Sequence, residues 1–132
     1  MTKKRKFKKE YSVELLRIAE GDLQTARGLI QVKMGRRENI FFHLEQAIEK
    51  ALKAVLCSRE IATPFVHEMG IVLELFPADL EVPRSEEMLD LGQFATIRRY
   101  EEDIADLTDE EVQATLDLAV QTLDWAKNNL GK

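Results

Sequence analysis

From Arg37 to Ser58 the chain places apolar residues at helical spacing on two neighbouring stripes. Ile40, Leu44, Ala47, Ala51 and Ala54 make one stripe, and Phe41, Ile48, Leu52 and Val55 make the other. A helix that is apolar over both stripes has to be packed on both sides, so it belongs at the centre of its fold. At 1.5 Å per residue it is roughly 33 Å long, and only other long helices can cover such a rod. Ala47, Ala51 and Ala54 allow a neighbouring backbone to come close. The remaining strip is polar: Asn39, His43, Gln46 and Lys50 step by four, three and four, with Glu49 and Lys53 beside them as an i,i+4 pair of favourable order.

The partners of this central helix are legible in the same way. Between Ser12 and Val32, Leu16, Ala19, Leu23, Ala26 and Ile30 form one stripe, which Gly35 ends. Thr63 and Pro64 read as a cap and first-turn proline opening a short helix through Phe76, which Pro77 stops. Ser85, with Glu86 and Glu87, starts a fourth helix ending near residues 97–100. Thr108 and Glu111 form a T-x-x-E capping box before Val112, Leu116, Ala119, Leu123, Ala126 and Leu130. Leu118 and Trp125, seven apart and off that main stripe, predict a second apolar patch and a homodimer. No stretch has useful strand-like alternation. The expected fold is all-α, an up-and-down bundle of four to five helices, with residues 1–10 as a basic tail and 11–132 as the domain.

The 132 residues are enough to bury a core without staples. A single Cys57 excludes an intramolecular disulfide, is read as a core residue, and suits a reducing compartment. No apolar run reaches the ~20 residues of a membrane span, and the N-terminus lacks the apolar stretch of a signal peptide; a cytoplasmic protein is expected, with no membrane association. Charge is unevenly placed. Lys3, Lys4, Arg5, Lys6, Lys8 and Lys9 are six of 19 basic residues, which leaves 13 basic against 24 acidic, a body of −11 behind a tail of +6. Such a tail either holds phosphates or is a solvated terminus, and an acidic body disfavours general nucleic-acid binding unless cations gather locally.

FHLEQAIEKALKAVL, Phe42 to Leu56, resembles the signature helix of the HEPN family (higher eukaryotes and prokaryotes nucleotide-binding). Gln46, Ala47, Glu49, Lys50, Ala51, Leu52, Lys53 and Ala54 match its Q-A-x-E-K-A-L-K-A pattern in register. VHEMGIVLEL, ATIRRYEEDI and LAVQTLDWAKNNL resemble the family's later segments in the same order. The resemblance implies a helical bundle that commonly forms a homodimer and works beside nucleotides or RNA. Many members are paired with a minimal nucleotidyltransferase in two-part toxin–antitoxin systems, and others are ribonucleases. The ribonuclease branch carries an Arg, four to six residues, then a His late in the domain. Here no histidine follows Arg98, Arg99 and Tyr100; the only two are His43 and His67.

Three functional readings follow. The first is a nucleotide-, RNA- or partner-binding module. Its polar column, Asn39, His43, Gln46 and Lys50, faces a groove, and His67 joins it there or bonds locally. Arg98, Arg99 and Tyr100 either clamp a phosphate and stack a base or pair with Glu101, Glu102 and Asp103. The second is a metal-independent ribonuclease using His43 with Arg36, which shares its face if the helix starts early enough; Arg37 is rotated away. The third is a structural dimerisation domain, the column being only the exposed strip that a central helix needs. Two histidines without a compact set of cysteines or carboxylates give no metal site, and no cofactor is expected.

Overall fold

The computed structural model describes residues 9–63, 68–100 and 107–130, with the backbone course alone at residue 9 and at residues 93–100. The expected basic tail lies almost wholly outside these residues. Five helices run in order: α1 (Lys9–Val32), α2 (Arg37–Ser58), α3 (Met69–Glu74), α4 (Ser85–Tyr100) and α5 (Asp109–Asn129). No strand occurs among the described residues.

α2 is the centre. It packs most extensively on α1, then on α5, and touches α3. Every residue of its two apolar stripes is buried, and Leu44, Ala47, Ile48, Ala51, Leu52, Ala54 and Val55 are sealed completely. Truncating Leu44, Ile48 or Leu52 there to alanine would cost about 2–5 kcal/mol. Ala19 and Ala26 of α1 are also fully buried, so the longest helix pair is built largely on small residues and close backbones.

The connections follow from local chemistry. α1 closes with Lys33 in the left-handed region (φ 54), while the Met34 N–H reaches Leu29 O at 3.0 Å and the Lys33 N–H reaches Ile30 O at 3.2 Å. Gly35 (φ 80) then turns the chain back into α2. α2 closes the same way at Glu60 (φ 60), with the Ile61 N–H on Leu56 O at 3.0 Å. At α5 the capping box forms in full: the Glu111 N–H donates to Thr108 Oγ1 at 3.1 Å, and the Thr108 N–H to Glu111 Oε1 at 3.0 Å. α4 lies on α3 through Gly92, where an added Cβ would sit 3.0 Å from the Cβ of Met69.

Two expectations are corrected. The short helix does not run from Thr63: Glu68 is extended (φ −112, ψ 114), so helix starts at Met69, and residues 64–67 lie outside the described residues. Leu118 and Trp125 are not a spare patch for another chain. Leu118 is buried, and half-buried Trp125 packs at 5.9 Å on the ring of Phe76, just past α3. Phe76, in the segment between α3 and α4, covers Trp125 within the chain.

Candidate functional site

The polar side of α2 is organised by one residue of α1. Asp22 sits beside Leu23 at the edge of the buried stripe, 19% exposed, and its carboxylate faces α2. Oδ2 accepts a hydrogen bond from Lys50 Nζ at 2.8 Å, and Oδ1 stands 3.7 Å from His43 Nδ1. The second distance is too long for a hydrogen bond. His43 Nδ1 is therefore buried without a hydrogen-bond partner, although 32% of its side chain is exposed, on the part of the ring away from that nitrogen. Phe42 meets the imidazole edge-on at 5.8 Å and is itself 52% exposed. Gln46 lies next along the strip, its Nε2 at 3.5 Å from Glu49 Oε2, and Asn39 stands exposed at the start of the helix.

The other flank of the strip differs from its expected exposure. Glu49 and Lys53 form their i,i+4 pair at 2.7 Å, but with only 3% and 13% of their side chains exposed. Glu45 is buried as well. These charges sit within the packed structure rather than on a solvated surface, and such burial demands pairing. The half-exposed face that remains consists of Asn39, Phe42, His43, Gln46 and Lys50.

Arg36 is not part of it. Its backbone is extended (φ −82, ψ 147), because α2 begins one residue later, and the helical alignment with His43 is not formed. The Arg36 guanidinium, 80% exposed, lies 3.5 Å from Glu38 instead. Arg37 Nε donates to Asp109 Oδ1 on α5 at 2.7 Å. Arg98, Arg99 and Tyr100 end α4, but their side chains lie outside the described residues, as does all of His67. Cys57 is in the core, and burial pushes its thiol up to about 11. Among the described residues, no group of histidine, cysteine and carboxylate side chains is arranged to hold a metal ion, and no helix is long and apolar enough to cross a membrane.

The HEPN domain model matches residues 12–129, from the first turn of α1 to the end of α5. The chain belongs to the HEPN family. No significant match is found among curated proteins or among solved structures. The family signature thus coincides with the helix that Asp22 braces: of the matched positions, Lys50 reaches α1, while Glu49 and Lys53 pair along α2. Asp22 itself is absent from the sequence-level candidates. Its signal was present, an acid between Ala19 and Leu23 on an otherwise apolar edge, but its partners are 21 and 28 residues away. Only the register of α1 on α2 brings them together.

Chemically, this face offers an imidazole, an amide, an asparagine and a partly neutralised ammonium beside an exposed aromatic ring. These are hydrogen-bonding and stacking groups suited to a polar planar ligand. Among the described side chains none supplies a nucleophile there, and Arg36 and Arg37 are paired with Glu38 and Asp109 rather than with His43.

Proposed function

We propose that this HEPN protein is a nucleotide- or RNA-binding module that works with a minimal nucleotidyltransferase partner in a toxin–antitoxin type system, as a homodimer in the cytoplasm. The observation that carries the binding part is the bracing of the α2 strip by Asp22. Lys50 is held at 2.8 Å, and the inner nitrogen of His43 is buried against Asp22, so these two groups of the strip are oriented before any ligand arrives. Preorganised polar groups bind better because less order has to be created on binding. Asn39, His43, Gln46 and Lys50 are the contacts we assign, with His67, Arg98, Arg99 and Tyr100 as further contributors. Ribonuclease chemistry is the weaker reading. It requires a base together with a cation that stabilises phosphate charge in the transition state, and Arg36 pairs with Glu38 away from His43.

Affinity capture from the native cell, with and without nuclease treatment, tests this reading. A nucleotidyltransferase retained after nuclease supports the partner, and RNA lost with nuclease supports the nucleic-acid ligand. In His43→Ala, with the fold intact by circular dichroism, weakened capture places His43 in the binding face; unchanged capture removes it.

A further inference from the structure

The α2 strip lies between two acids, and both draw its donors toward the protein. On one flank, Asp22 Oδ2 accepts from Lys50 Nζ at 2.8 Å, and Oδ1 stands 3.7 Å from the buried Nδ1 of His43. On the other, Gln46 Nε2 donates toward Glu49 Oε2 at 3.5 Å. A carboxylate only accepts, so each acid selects the donor end of the group it faces. For Gln46 this leaves the carbonyl oxygen as the end available to a ligand. For His43 it decides where the proton sits.

A neutral imidazole carries its proton on one nitrogen and accepts with the other. A proton on Nε2 would leave the Nδ1 lone pair buried 3.7 Å from a carboxylate oxygen, with no donor to meet it. A buried acceptor left unmade is costly, and the facing negative charge adds to the cost. A proton on Nδ1 turns that repulsion into attraction, although the distance exceeds a hydrogen bond. We propose that Asp22 fixes the His43 proton on Nδ1, so that Nε2, on the exposed side of the ring, is an acceptor. The strip then selects a planar ligand that donates an N–H over one that can only accept. Asp22 is a positioning residue, acting through His43. This rests on the ligand-binding reading of the strip and adds the direction of its hydrogen bonds.

Lys50 makes the effect of Asp22→Asn specific. Its ammonium only donates, so it keeps the oxygen of the new amide, at the place where Oδ2 now accepts. The amide nitrogen then faces His43 Nδ1 as a donor. The proton moves to Nε2, and the outward nitrogen changes from acceptor to donor. The substitution also frees positive charge at Lys50, which strengthens binding to any phosphate backbone alike. The ratio of affinities for two ligands, rather than either affinity, therefore reports the imidazole.

Two measurements on the full chain test this, with the fold checked by circular dichroism. The first is nitrogen NMR of the histidine side chains at about pH 8.5, above the ordinary histidine range, with the His43 signals identified by their loss in His43→Ala. The parent should carry the proton on Nδ1 and Asp22→Asn on Nε2; a parent protonated on Nε2 overturns the proposal without any ligand. The second is fluorescence anisotropy with a short oligouridine and the same oligomer methylated on the ring N–H. The parent should prefer the unmethylated oligomer about fivefold, the worth of one hydrogen bond. That ratio should fall toward one in Asp22→Asn and in His43→Gln, whose amide can donate or accept. Equal binding of both oligomers by the parent overturns the selectivity and leaves the binding reading standing. A preference that survives in both variants reports only the bulk of the methyl group, and overturns it too. Binding of neither oligomer removes the binding reading and the selectivity with it, while the NMR result still decides where the proton sits.

Discussion

Replacing Asp22 by asparagine keeps the shape of the side chain and removes the charge that Lys50 faces at 2.8 Å. At that distance, with an effective dielectric constant of about 20, the gross attraction is about 6 kcal/mol. Desolvation of the two charges cancels most of it. The pair is neither fully buried nor open, with 29% of Lys50 and 19% of Asp22 exposed. Its net contribution therefore falls between the ~1 kcal/mol ceiling of surface pairs and the ~3–5 kcal/mol lost when one partner of a buried pair is removed. A loss of about 1–2 kcal/mol is expected. With a urea dependence of roughly 1.5 kcal/mol per molar, the unfolding midpoint would fall by about 1 M. A double-mutant cycle with Lys50→Met, followed by far-ultraviolet circular dichroism, should give a coupling of about 1 kcal/mol. A coupling within about 0.3 kcal/mol of zero would refute the idea that Asp22 braces the strip.

Three further outcomes follow from the same structure. Cys57, buried and with its thiol pushed up to about 11, should react with a thiol reagent at pH 7.5 only at the rate of unfolding; rapid native labelling would contradict its place in the core. Phe76→Ala should uncover Trp125 and shift its emission to the red, and since the chain has one tryptophan an unchanged spectrum would disprove that contact. Glu60 sits at φ 60 behind α2, so Glu60→Gly should relieve left-handed strain and stabilise the protein by about 0.5–1 kcal/mol in urea unfolding; destabilisation would show that the Glu60 side chain contributes more than its backbone costs.

The helices were readable because burial and periodicity carry the same message. Ile40, Leu44, Ile48 and Leu52 recur at helical spacing and are all buried, and Thr108 with Glu111 marks the start of α5 through chemistry confined to one turn. The site was readable only in part. His43 and Lys50 announce a polar column along one helix, yet the carboxylate that organises them comes from α1, and no local pattern states how far two helices slide past one another. The burial of Glu49 and Lys53 was hidden for a related reason: an i,i+4 ion pair looks the same in sequence whether water or protein covers it. Arg36 turned on a single residue, since α2 starting at Arg37 removes it from the helical face.

The role proposed for the α2 strip is to bind a ligand without transforming it. Fluorescence anisotropy of an end-labelled single-stranded RNA, with the same samples then run on a denaturing gel in the absence of metal, measures both halves together. The predicted result is saturable binding with the RNA intact, weakened roughly three- to tenfold by His43→Ala and by Gln46→Ala, about one hydrogen bond each, with unchanged circular dichroism. Cleavage by the parent that disappears in His43→Ala, or binding indifferent to both substitutions, would contradict it.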